Sequence, residues 1–248
     1  MAPTLKLHVL AISHPCLAAR AAVERKGLDA EIVTLNPGEH NAAMEEIYGE
    51  GNRTVPGMLV DDEPVHGTME IMERLEVLAP DPALYPEPIA ERVREAQRWA
   101  DAEVQDLGRR LTWGALHFRP EMMGTYGGAG PLDPAGTDFA IRFARASWKY
   151  HGISAVRLAE DLAGLPAKVD HIDALAADGI VGGEEPTAAD FEIGATVRVL
   201  LTIGDLRPLL EDRAAGAIAR RWFPDYAGDV PAGALPAGWV PSGAGQTA

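Results

Sequence analysis

The chain has 248 residues, 47% of them apolar, with a formal net charge of −15 and an isoelectric point near 4.8. This is enough apolar material for a sizeable core, and the acidic balance excludes the basic footprint that nucleic acid or an anionic membrane requires. One cysteine excludes an intramolecular disulfide, no apolar run approaches the roughly 18 residues of a membrane helix, and no export signal precedes the first strand, so the expected compartment is the cytoplasm.

Leu5, Leu7, Val9 and Ala11 alternate with Lys6 and His8, which predicts a strand over 5–12 that is about to be buried. An abrupt turn follows at Ser13, His14, Pro15 and Cys16, and an Ala-rich helix pattern runs over 15–26 and stops at Gly27. Pro15 suits a first helical position, because its φ is fixed and the N–H it lacks would be unpaired there anyway. Ser13 therefore stands at a helix entrance, where free N–H groups and the positive end of the dipole stabilise an anion such as a thiolate. With Cys16 one turn away, this turn is the first candidate for chemistry.

Strands are predicted over 30–35 and 55–60, with a weak helix over 42–48 between them. Asp61 and Asp62 turn into a short fourth strand ending near His66, and 69–78 has helical spacing. The order βαβ then ββα predicts a small mixed sheet with helices packed on it, since parallel strands need a crossover and antiparallel ones only a hairpin. Pro80, Pro82, Pro86 and Pro88 continue neither helix nor strand, so we read 1–79 as one domain, 80–88 as a linker and 89–223 as an all-helical domain. Within the latter, 119–136 reads as a long loop, with helices over 137–163 and 167–177. Thr187 caps a further helix running to Leu201, with Asp190 as its reciprocal partner. Residues 224–248, rich in Pro, Gly and Ala, read as an extended tail that packs loosely or not at all.

Taken together, the βαβ and ββα unit, the proline-rich linker and the helical second domain resemble the soluble glutathione transferase superfamily over roughly 5–210. The resemblance implies an α/β thioredoxin-like N-terminal domain plus an all-α C-terminal domain. Ser13, His14, Pro15, Cys16 looks like the serine turn of the theta and delta classes, with Leu17 where Arg commonly follows. Val55 and Pro56 look like the family's cis-proline site, whose backbone pairs with the cysteinyl part of glutathione. Gly67 and Thr68 occupy the place of an acidic or amide residue followed by Ser: Thr68 keeps the hydroxyl and N–H for the γ-glutamyl carboxylate, whereas Gly67 lacks the side chain that usually meets the amine. Glu70 lies one turn further on, and helical geometry points it along a different line.

An unassisted thiol, with a pKa near 8.5, is mostly protonated at neutral pH, and a hydroxyl at a helix N-terminus lowers that value. The resemblance thus implies that Ser13 stabilises the thiolate of glutathione or another low-molecular-weight thiol as it attacks, or reduces, a hydrophobic electrophile. Against this stands the plainer reading that Ser13 only caps the helix. Arg53 and Thr54 are placed to meet a glycyl carboxylate, or Arg53 is a solvated loop residue; Trp113, His117, Phe118, Met122, Met123 and Tyr126 wall an apolar pocket, or are core and loop. His14 reads as a turn residue and not as a base. Two alternatives stay open: a non-catalytic binding protein on the same fold, favoured by Gly67, and a one-cysteine thiol reductase using Cys16, whose plain reading is a small buried apolar residue. A homodimer is implied by resemblance. No tightly bound cofactor, metal-ligand spacing or phosphate loop is read from the sequence.

Overall fold

The computed structural model describes residues 3–241. A four-stranded mixed sheet has the order β2-β1-β3-β4, built from β1 (Leu5–Val9), β2 (Ala30–Thr34), β3 (Gly57–Val60) and β4 (Glu63–His66). β1 pairs in parallel with β2, while β1–β3 and β3–β4 are antiparallel. The helices α1 (His14–Arg25) and α2 (His40–Tyr48) cross between strands, and α3 (Thr68–Leu78) closes the unit. Seven helices follow: α4 (Ala90–Ala100), α5 (Asp106–Phe118), α6 (Pro134–Tyr150), α7 (Ala155–Ala177), α8 (Ala188–Leu200), α9 (Arg207–Leu210) and α10 (Ala214–Trp222). A five-residue π-helical segment, Asp101–Gln105, joins α4 to α5. This is the thioredoxin-like sheet plus helical region that the element order predicts.

The two parts pack on each other through α1 and α8. α1 buries Ala18, Ala19, Ala22 and Val23, and three of those side chains are single methyls that let the helices approach closely. Every residue of α8 except Arg198 is buried, so this helix is the axis of the helical region. Its start is fixed as predicted: Thr187 Oγ1 accepts from the Asp190 N–H at 3.3 Å, and Asp190 Oδ2 accepts from the Thr187 N–H at 2.9 Å. The proline-rich segment after α3 is held by the fully buried Lys26 ammonium, which pairs with Glu76 and donates to the carbonyls of Pro82 at 2.8 Å and Pro80 at 3.3 Å.

Three sequence expectations change. Residues 119–136 are not a bare loop: Pro120–Gly127 forms a 3₁₀ segment and α6 begins at Pro134, with Asp133 accepting from the Gly136 N–H at 2.7 Å. The pattern over 137–163 is two helices, because Gly152, at φ +60°, ends α6. There the Ile153 N–H donates back to Trp148 O at 2.8 Å, and Ser154 caps α7, which then runs through Pro166.

The third correction concerns the tail. From Phe223 to Trp239 it is tied down: Arg198 donates to the carbonyls of Phe223 and Pro224 at 2.8 and 3.2 Å, and Val230 bridges to Ile203. The Asp205 carboxylate accepts from the N–H groups of Gly233, Ala234 and Leu235 at 2.6, 2.9 and 2.9 Å. A segment without periodicity can still be ordered when side chains elsewhere satisfy its backbone. The last seven residues of the predicted tail lie outside the described residues.

Candidate functional site

Sheet register brings the predicted thiol-site segments to one end of the molecule. His8, near the end of β1, lies opposite Gly57 at the start of β3, and Gly57 also lies opposite His66 at the end of β4. The Ser13 turn, the Val55–Pro56 segment and the Gly67–Thr68 entrance to α3 therefore leave the sheet at the same edge. The Val55–Pro56 peptide is cis, the Gly67 N–H donates to Pro56 O at 3.2 Å, and His66 Nε2–H donates to Thr54 O at 2.8 Å.

Ser13 is half-buried and is the N-cap of α1, with extended backbone at φ −79°, ψ 119°. His14 is the first helical residue and Pro15 the second, one place later than the sequence pattern predicts. Ser13 Oγ accepts from the Cys16 N–H at 3.5 Å, a long bond that engages the hydroxyl weakly. Cys16 itself is 1% exposed, and burial pushes its thiol up to about 11, outweighing the hydrogen bond from Ser13 that pulls it down. Such a thiol behaves as a small apolar side chain. The His14 ring is buried, and burial, with Arg109 and His151 nearby, holds its pKa well below the usual histidine range.

Gly67 has φ +105°, a conformation that favours glycine, and caps α3 without a side chain. The Glu70 carboxylate fills the space: it folds back to the point where a Gly67 Cβ would stand. Helical geometry alone points Glu70 elsewhere, but at the third position of a helix that opens on glycine the long side chain is free to curl to the helix entrance. Thr68 is buried in the first turn. Arg53 is exposed, with Nε 3.6 Å from Glu45 Oε2. Its carbonyl accepts from Asn41 Nδ2 at 2.8 Å, and the same amide donates to Tyr150 Oη at 3.0 Å, which ties the end of α6 to this edge.

The predicted aromatic and methionine residues divide. Trp113 packs on Phe143 with ring centroids 5.5 Å apart, His117 on Trp148 at 4.1 Å, and Phe118 on Trp148 and Trp239, both at 6.3 Å. Met122 is buried and Met123 packs against the core. Tyr126, its Oη 2.7 Å from Thr202 Oγ1, lines a cleft of about 370 Å³ between α1 and the tail. Ala11, Ile12, Leu17, Phe223 and Tyr226 complete its apolar wall, and Tyr226 Oη donates to Ile12 O at 2.7 Å. Ile12 places this cleft next to Ser13. The sequence reading missed Ile12, Leu17 and Tyr226 as cleft residues, and no local pattern singles them out.

Residues 7–83 match the family described as the glutathione S-transferase N-terminal domain. This segment is a glutathione S-transferase domain. The chain as a whole has the glutathione S-transferase fold. It is similar to a beta-etherase from Sphingobium sp. strain SYK-6, at 20% identity and a TM-score of 0.62 over 88% of this chain and 94% of that one. It is similar to a bacterial zeta-class glutathione S-transferase, maleyl pyruvate isomerase, at 21% identity and 0.55 over 87% and 92%. A glutathione S-transferase from Rhodospirillum rubrum F11 aligns at 20% and 0.52 over 88% and 86%. Comparison with curated protein sequences gives no match. Among the described residues, no group of three or more His, Cys, Asp or Glu is placed to hold a metal ion, and no helix is long and apolar enough to cross a membrane.

Proposed function

We propose that the protein is a glutathione transferase-like enzyme that conjugates the thiol of glutathione, or of a similar small thiol, to a hydrophobic electrophile. The observation that carries this reading is the half-buried Ser13 hydroxyl at the N-cap of α1, on a segment matching the transferase N-terminal domain. There a hydroxyl donates to sulfur while the first-turn N–H groups and the helix dipole stabilise its negative charge. Val55, Pro56, Gly67 and Thr68 share that edge and would hold the thiol's peptide backbone, with Arg53 and Thr54 beside its carboxylate end. The cleft at Ile12, Tyr126 and Tyr226 would take the apolar partner. Related folds that carry a beta-etherase and an isomerase are consistent with a thiol site that serves several electrophiles.

The buried, high-pKa Cys16 speaks against the thiol reductase reading. The test is conjugation of glutathione to 1-chloro-2,4-dinitrobenzene by the parent and by Ser13→Ala. The expected result is turnover by the parent and a loss of about a hundredfold in the variant, the size of effect seen when one donor to a developing anion is removed. Absence of glutathione binding, or equal turnover by the two proteins, overturns the reading.

A further inference from the structure

Ser13 is the last residue before α1 and His14 is the first within it, so whatever grips the His14 ring sets the helix entrance. That grip comes from the helical region. His14 Nδ1 lies 3.1 Å from Thr196 Oγ1 on α8, and its Nε2 lies 2.7 Å from the point where a Gly108 Cβ would stand on α5. Nε2 is buried and has no hydrogen-bond partner among the described residues.

Hydrogen-bond bookkeeping fixes the proton. Thr196 has one hydroxyl hydrogen, and Glu192 O, one helical turn back at 3.2 Å, can only accept it. The Thr196 oxygen is then free to accept from His14 Nδ1–H. The opposite tautomer would bury an Nε2–H donor against Gly108 with nothing to receive it, and orphaned buried donors are rarer and costlier than under-used acceptors.

We propose that Thr196 is a positioning residue for the transferase reaction: it holds His14 as the Nδ1–H tautomer and so locks the α1 entrance that presents Ser13 to the thiolate. The proposal rests on the function proposed above. Gly108 belongs to the same device, because any side chain there would displace the ring. The ring is committed on one nitrogen and sealed on the other. It therefore orients the site without exchanging protons with it.

Two measurements test this. In ¹⁵N-histidine-labelled protein at pH 7.5, the imidazole correlations of His14 are expected to be those of a neutral Nδ1–H ring; an Nε2–H ring overturns the proposal without any variant being made. In Thr196→Val, the pH midpoint of the bound glutathione thiolate, read by ultraviolet absorbance, is expected to rise by about one unit. kcat at pH 6.5 should fall about tenfold while KM for glutathione moves less than about twofold, a small displacement of a positioned group being enough for such a loss. Thr196→Ser should restore both, and Gly108→Ala should shift the thiolate midpoint in the same direction as Thr196→Val. An unchanged midpoint and kcat in Thr196→Val overturn the positioning role while conjugation by the parent keeps the functional reading intact. A parent that neither binds nor conjugates glutathione overturns both, leaving the tautomer as a structural fact alone.

Discussion

Glu192 is sealed inside the molecule with one oxygen satisfied and one not. Its Oε1 accepts from Gln105 Nε2 at 2.9 Å, that same amide nitrogen donates to Asp101 Oδ1 at 2.7 Å, and Oε2 has no partner. Burial pushes the Glu192 carboxyl up from 4.5 to about 7. The stability this group contributes is fully present below about 4.5 and is lost as pH rises through about 7, because the unfolded chain ionises first. His14 acts in the opposite sense. With its pKa lowered, its contribution is present above 6.5 and is lost as pH falls below that value. Glu192→Gln removes the alkaline loss, so the Tm of the variant relative to the parent is expected to rise by about 3–6 °C between pH 5 and pH 8, measured by calorimetry. A gap that stays constant across this range contradicts a protonated Glu192. At the same scale, iodoacetamide should label Cys16 only as the protein unfolds, and labelling at the rate of a free thiol at pH 8 would show that the side chain is accessible.

At the scale of single elements, helix ends carry much of the specification. Asp190 accepts from the N–H groups of Thr187 and Gly182 at 2.9 and 2.6 Å, and from the Thr187 hydroxyl at 2.8 Å. Asp190→Ala leaves those buried donors unpaired and is expected to cost about 2–4 kcal/mol in urea denaturation with an unchanged m-value. Lys26, at the end of α1, is buried in contact with Glu76 and the carbonyls of the proline-rich segment. Lys26→Ala strands the Glu76 carboxylate and should cost about 3–5 kcal/mol by the same measurement. A loss below 1 kcal/mol would mean that Lys26 does not hold this segment in solution.

On the scale of the whole molecule, the tail works as a strap. It runs from α10 past Ile12, along α8 and onto Phe118, and closes one side of the cleft beside Ser13. Asp205 supplies an anion to three consecutive N–H groups of the strap, the geometry of a small anion nest with the anion covalently attached. Asp205→Asn is expected to loosen the segment and to raise amide hydrogen exchange at 229–235 at least tenfold, with the exchange of β1 and α8 unchanged. Equal protection at 229–235 in both proteins would show that the strap is held by apolar packing alone.

Much of this could be read along the chain. Alternation in β1, the Ser13 and Pro15 turn, the turn at Asp61 and Asp62 and the reciprocal cap at Thr187 and Asp190 are local features, because dihedral preference and the pairing of nearby donors act within a few residues. Gly152 and Ser154 also mark a helix break that a reading of apolar spacing alone passes over. By itself the sequence determined the order of elements, the polarity of each helix and the presence of a hydroxyl at a helix entrance. Only the tertiary structure decided that Glu70 fills the space above Gly67, that Trp113, His117 and Phe118 pack into α6 and the tail, and that Thr196 grips His14. Each of these depends on groups far apart in the chain meeting across α1, α5 and α8, where burial and unpaired donors, rather than local propensity, set the outcome.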